Sequence, residues 1–147
     1  MHYSVGQLGR VVVGALEEGD RLPDSLERLA LESNVSSGIC ILLGGISGGG
    51  TVVVGPKDSD AQPVDPILHL LDGVHEVIGL GTLFPDKSGT PRAHVHAALG
   101  RGETTKTGCI RLGVDSWKLC EIIIIEIKGS SARREFSEEQ GFDMLIP

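Results

Sequence analysis

Residues 118–128 read KLCEIIIIEIK and decide the class of the fold. Within them, Ile122–Ile125 form the most strand-like run of the chain, because β-branched side chains pack well on a pleated sheet. An uninterrupted apolar run of this kind is typical of a strand that is covered on both faces. We therefore predict a central strand at Lys118–Lys128 with both of its faces buried.

Further strands and one helix are predicted on the N-terminal side of this run. The short apolar or alternating runs are Arg10–Leu16, Ile39–Leu43, Thr51–Val54, Ile67–Leu71, His75–Phe84, Arg92–Leu99 and Thr104–Leu112. Turn residues separate them, as in PDKSGTP at 85–91. The apolar residues Leu22, Leu26, Leu29 and Ala30 share one face at helical spacing, and Asp20 is the predicted N-cap.

The order of these elements predicts the fold class. Hairpin-like connections dominate and no regular strand–helix–strand alternation is present, which favours an α+β fold with a largely antiparallel sheet of about seven strands and one main helix. A chain of 147 residues has the length of one domain, so we predict a single domain over residues 1–147.

Composition limits the partners and the compartment. The net charge is −7, with 13 Lys and Arg against 20 Asp and Glu, and the cations are scattered. A DNA-binding surface needs clustered cations, so we expect weak DNA binding at most. No apolar run approaches the roughly 20 residues that span a membrane, and no signal peptide is recognisable, so we predict a cytoplasmic protein without a membrane partner. An odd number of cysteines, Cys40, Cys109 and Cys120, predicts free thiols.

The segment PRAHVHAA at 91–98 carries the clearest chemistry. Alternate residues of a strand share a face, so His94 and His96 point the same way with Cβ atoms about 7 Å apart. If Arg101 and Gly102 form the centre of a hairpin turn, Cys109 lies opposite His94, and Thr107 lies opposite His96. The three side chains then form a zinc site with an open fourth position. The alternative is that the histidines are a solvent-facing polar stretch and that Cys109 is an inert buried thiol.

Other candidate residues are weaker. The glycine-rich segment Gly44–Gly50 lacks the Lys of a phosphate-binding loop, which favours a turn or a crowded backbone over a phosphate site. Glu76 and Arg92 are candidates for acid–base or anion-holding roles. His2, His69 and His75 are isolated in the sequence and are minor ligand candidates.

Two long stretches resemble a known family. Residues 14–55 (GALEEGDRLPDSLERLALESNVSSGICILLGGISGGGTVVVG) and 75–113 (HEVIGLGTLFPDKSGTPRAHVHAALGRGETTKTGCIRLG) resemble, in order and motif, the two halves of plants-and-prokaryotes-conserved (PPC) domains. The resemblance implies the α+β fold and a homotrimer. In the stand-alone prokaryotic type, which is described as DNA-binding, a His is found in Gly-Gly-His-Leu where this chain has Cys109.

These observations lead to two functional hypotheses. The first is a stand-alone PPC-domain protein, a homo-oligomeric binding or regulatory module of a family described as DNA-binding. The alternative is a small zinc-dependent enzyme, a lyase or a hydrolase, in which a Zn²⁺ ion on His94, His96 and Cys109 acts as Lewis acid or activates water.

Overall fold

A computed structural model describes all 147 residues of the chain. The elements in chain order are β1 Gln7–Leu16, β2 Arg21–Leu22, α1 Asp24–Glu32, β3 Gly38–Ile46, β4 Thr51–Pro56, β5 Pro66–Leu70, β6 His75–Pro85, β7 Pro91–Arg101, β8 Thr104–Cys109, β9 Val114–Lys128, β10 Arg133–Ser137 and β11 Phe142–Ile146. The α+β class with an antiparallel sheet is therefore confirmed. The strand count is higher than predicted, because β2 and the C-terminal hairpin are too short or too polar to stand out in the sequence.

The main sheet has nine strands, in the order β1-β9-β3-β6-β7-β8-β4-β5 with β2 also paired to β9. As predicted, β9 is central, since it pairs with β1 on one side and with β3 on the other. Its predicted burial on both faces is wrong for the single chain. Ile122 and Ile124 are fully buried, whereas Ile123 and Ile125 on the opposite face are only half-buried.

The inner face of the sheet packs on α1. Leu26 and Ala30 are fully buried there, which confirms the predicted apolar face of the helix. The predicted N-cap is wrong, because Pro23 occupies that position and no side chain caps the helix. Asp20 instead accepts a hydrogen bond from the Glu17 N–H at 2.9 Å and so closes the turn before the helix.

The glycine-rich segment ends β3 and turns the chain into β4, as expected for a crowded backbone. Gly44 has a φ of 149°, and a Cβ at this position would collide with the Leu119 carbonyl oxygen. A Cβ at Gly48 would lie 2.8 Å from the Gly73 backbone. Glycine is required here because another main chain passes too close for a side chain.

The face of the sheet opposite α1, which we call the outer face, is apolar and open. Its exposed members are Val11, Val13, Leu43, Ile78 and Leu80. They lie on β1, β3 and β6, and the half-buried Ile123 and Ile125 of β9 join them on the same face, as the strand register shows. The C-terminal hairpin of β10 and β11 forms a separate two-stranded sheet. The helix of this fold lacks the length and the apolar character needed to cross a membrane.

Candidate metal centre

Strand β7 presents its two histidines on the outer face, next to the apolar residues of β6. His96 lies opposite Leu80, and His94 lies opposite Thr82. The two Nε2 atoms are 3.2 Å apart, and the rings meet edge to face. Two nitrogens bound to one tetrahedral zinc ion at about 2.0–2.1 Å lie about 3.3–3.4 Å from each other. The histidine pair therefore already has the spacing of two ligands to one ion.

Cys109 completes the cluster from the end of β8, but in a different register from the predicted one. Arg101 pairs with Thr104, so the turn is centred on Gly102 and Glu103, and Gly102 adopts the positive φ of 57° that this turn requires. Cys109 consequently lies opposite His96 and not opposite His94. The register differs by two residues, and an even shift keeps the same side chains on the same face.

The three side chains form a group that could hold a metal ion. The His94 and His96 nitrogens and the Cys109 sulfur lie within 4.8 Å of one another. Burial, reinforced by the charges of Arg134, His96 and Arg111, holds the pKa of His94 below its usual range. A neutral imidazole is the form that binds metal, so this environment favours the ligand state.

The other two cysteines are free and buried, as predicted. Burial raises the pKa of Cys40 to about 12 and that of Cys120 to about 11. Both thiols therefore remain protonated at neutral pH, and neither belongs to the cluster of possible metal ligands. Cys109 differs from them in position, since it lies beside two imidazoles.

His94, His96 and Cys109, which we call the metal cluster for this candidate role, form part of the wall of a cavity of about 420 Å³. The wall combines apolar side chains from the β4 region and the C-terminal hairpin with three arginines. The lining residues are Val53, Gly55, Pro56, Val64, Arg92, Ala93, His94, His96, Cys109, Arg111, Arg134, Phe142 and Asp143.

Helix α1 and the β6–β7 turn fix the start of β7, just before the first histidine. Glu27 accepts a hydrogen bond from the Ala93 N–H at 2.9 Å and pairs with Arg92 at 3.2 Å. Asp86 accepts a second hydrogen bond from Arg92, at 2.9 Å. Because Arg92 is held by two carboxylates, it lines the cavity without being free to bind an anion there.

The remaining candidates lie elsewhere. Glu76 pairs with Gly100 at the far end of β7 and is not part of the cavity wall, so it takes no part in this site. His75 is buried, with its Nδ1 atom 2.8 Å from the Gly73 carbonyl oxygen. His2 and His69 also lie outside the cluster.

Sequence reasoning missed several cavity residues that lie outside β7 and β8. Arg111 follows β8, while Arg134, Phe142 and Asp143 come from the C-terminal hairpin. No local sequence pattern marks these residues, because only tertiary contacts between distant segments bring them to the site.

The family model of the Plants and Prokaryotes Conserved (PCC) domain, the family called PPC above, matches residues 3–128. The chain belongs to this family. None of the curated proteins compared with this PCC-domain chain is a significant match.

Solved structures share the PCC-domain fold. A metal-containing protein from Archaeoglobus fulgidus is 17% identical with a TM-score of 0.83, and each chain is covered over 100% of its length. A plant- and prokaryote-conserved protein from Pyrococcus horikoshii is 19% identical with a TM-score of 0.83, covering 100% of this chain and 98% of the other. A candidate DNA-binding protein from Ralstonia eutropha is 20% identical with a TM-score of 0.68, covering 92% and 90%. At these identities, the likeness establishes the fold of this PCC domain and not its ligand.

Proposed function

We propose that this PCC-domain protein is a homo-oligomeric binding module whose site holds one Zn²⁺ ion on His94, His96 and Cys109. The observation that carries the proposal is the 3.2 Å separation of the two Nε2 atoms, with a cysteine sulfur close by. Two nitrogens and one sulfur are ligands that suit zinc, and three protein ligands leave the fourth position open to the cavity. The metal-containing protein from Archaeoglobus fulgidus, which shares this fold, supports the proposal that the site binds a metal ion.

Metal analysis of the purified protein tests the zinc site. His94→Ala, His96→Ala and Cys109→Ala should each abolish stoichiometric zinc, because a site with three protein ligands does not hold the ion on two. Zinc affinity of the native protein should fall as the pH drops through and below the usual histidine pKa of ~6.5, since protons compete for the ligand atoms and the pKa of His94 is lowered. Cys40→Ala and Cys120→Ala are matched controls and should retain zinc. Full zinc retention in Cys109→Ala would remove Cys109 from the site.

The open outer face supports the oligomer. Apolar residues that are more than half exposed in the single chain run from β1 to β6, and the metal cluster lies beside them. A contiguous apolar surface of this kind is typical of an interface between chains. We propose the homotrimer that the family resemblance implies, with this face buried between copies. The free thiols fit a reducing compartment such as the cytoplasm.

The charge distribution favours weak DNA binding. Every Lys and Arg side chain makes an ion pair with a carboxylate except Lys106, Arg111 and Arg134. Two of these three line the cavity and do not form an exposed stripe. Few cations therefore remain for phosphates, although relatives such as the Ralstonia eutropha protein are described as candidate DNA-binding proteins.

We expect the domain to bind duplex DNA with a dissociation constant of roughly 10⁻⁴ M or weaker near 0.15 M salt, because few counterions would be released. Fluorescence anisotropy with a labelled duplex measures this constant. Tight, sequence-selective binding at that salt concentration would establish DNA as the partner. No comparison supports the alternative of a zinc-dependent lyase or hydrolase, so the proposal stops at binding.

A further inference from the structure

Arg134 is a buried cation with few partners. It lies on β10, is 6% exposed as a residue, and lines the cavity beside the metal cluster. Its Nη2 atom donates a hydrogen bond to Thr82 Oγ1 at 2.7 Å, whereas its buried Nε–H has no acceptor. A guanidinium has five N–H donors, and a buried polar group without a partner is costly. Arg134 therefore has N–H donors available to a ligand that enters the cavity.

No carboxylate of the chain neutralises this charge. Asp143 lies on the same cavity wall and favours the charged form of Arg134, yet the two residues do not form an ion pair. Burial lowers the pKa of Arg134 in spite of Asp143 and Cys109. Arg111, the second cavity cation without an ion pair, stacks over the Phe142 ring at 5.7 Å. Two of the three cations that lack a carboxylate partner, Arg111 and Arg134, thus line this one cavity, and Lys106 lies outside it.

We propose that Arg134, assisted by Arg111, binds the carboxylate of a small organic monoanion whose other end lies against the apolar wall and beside the metal ion. The proposal deepens the proposed function, since it names the ligand class of the zinc site and rests on that site for the second anchor. Arg134, the principal anion-binding residue, lies in β10, beyond the residues 3–128 that the family model matches.

The chemistry of the cavity favours a carboxylate over a phosphate. The planar edge of a guanidinium matches two carboxylate oxygens, and charge-assisted hydrogen bonds of this type are strong. Asp143 would repel a dianion more than a monoanion. Val53, Pro56, Val64 and Phe142 offer an apolar surface for the rest of the ligand, and a volume of about 420 Å³ suits a small molecule.

Binding of three probes to the full chain, both zinc-loaded and metal-free, tests this proposal. The probes are isobutyrate, its neutral analogue isobutyramide, and inorganic phosphate. Isobutyrate should shift the Nε–H resonance of Arg134 in NMR spectra, and isobutyramide should not. Arg134→Gln should weaken isobutyrate binding roughly tenfold or more, as expected for the loss of a hydrogen bond to a charged group. Arg133→Gln is the matched control, because Arg133 is exposed and already paired with Glu135, and it should bind normally.

The two proposals fail separately. If the histidine variants retain zinc, the metal site is wrong, while isobutyrate binding by metal-free protein still tests Arg134. The anion subsite is overturned by the absence of isobutyrate binding, by equal binding of isobutyramide, or by tighter binding of phosphate at the same resonance. It is also overturned if Arg134→Gln changes only the zinc affinity, because Arg134 would then serve the Cys109 thiolate. If Arg134→Gln does not fold, the anion subsite is tested by whether isobutyrate shifts the Arg134 Nε–H resonance of the native protein.

Discussion

Glu126 shows how neighbouring groups determine the ionisation of a single residue in this protein. It occupies a buried position on β9, where alternate residues are apolar, and its carboxylate is held by Arg10 from the neighbouring strand. Arg10 donates through its backbone N–H and Nε to Oε2 at 2.9 and 3.0 Å and through Nη2 to Oε1 at 2.9 Å. These hydrogen bonds from Arg10 lower the pKa of Glu126 to about 2.

This lowered pKa predicts a specific pH dependence of stability. The ionised carboxylate stabilises the folded state fully above the unfolded pKa of about 4.3, and this contribution is lost as the pH falls toward the folded pKa of about 2. In urea unfolding, the difference in free energy between native protein and Glu126→Gln should therefore stay constant above about pH 5 and shrink below it. Glu32→Gln, at an exposed helix position, should run parallel to the native profile. A difference for Glu126→Gln that persists unchanged in acid would exclude this account.

At the scale of elements, the contact between α1 and β7 positions the metal cluster. The N-terminal end of β7 extends beyond its pairing with β8, which stops at His96, so the Ala93 N–H needs another acceptor. Glu27 supplies it from the helix. A helix that packs on the inner face of the sheet thereby fixes the strand that carries the histidines on the outer face.

Glu27→Ala should lower the free energy of unfolding by about 1–2 kcal/mol, because it removes the acceptor of a backbone N–H and one partner of Arg92. It should also weaken zinc binding, since β7 is less firmly held just before His94. Chemical denaturation and a zinc titration measure the two effects. Glu32→Ala on the same helix is the control and should change neither quantity. Unchanged stability in Glu27→Ala would show that β7 is positioned by the sheet alone.

At the scale of the whole molecule, the single chain covers only one face of its sheet. The helix and the inner face of the sheet bury a core of aliphatic residues, while the outer face leaves isoleucines, leucines and valines in contact with water. Ile78 lies near the middle of this face, opposite Leu43 and Ala98, and is 63% exposed. If copies of the chain associate through the outer face, a charged side chain at position 78 would be buried in the interface without a partner.

Ile78→Asp should therefore reduce the mass in light scattering from that of a trimer to that of a single chain at micromolar concentration. Leu31→Asp is the matched control, because Leu31 is 60% exposed on α1 and lies away from the outer face. It should leave the assembly intact. A native protein that is already monomeric would refute the homotrimer, and an Ile78→Asp variant that remains trimeric would place the interface elsewhere.

The sequence by itself determined the features that depend on local periodicity. Alternation along a strand placed His94 and His96 on one face, and the spacing of Leu26 and Ala30 defined the buried face of the helix. It also placed Cys109 on the histidine face, since the error of two residues in the turn preserved the side. Such features follow from backbone geometry over a few residues and need no knowledge of distant contacts.

Only the tertiary structure decided how distant segments meet. The turn at Gly102 and Glu103 moved Cys109 opposite His96, and the C-terminal hairpin brought Arg134 and Asp143 to the cavity. The tertiary structure also decided the burial of β9. The sequence predicted that both faces of this strand are covered, but a single chain leaves its outer face open. Residues far apart in sequence meet only through the packing of the whole sheet. No local pattern shows which polar residue of the C-terminal hairpin will lie beside β7.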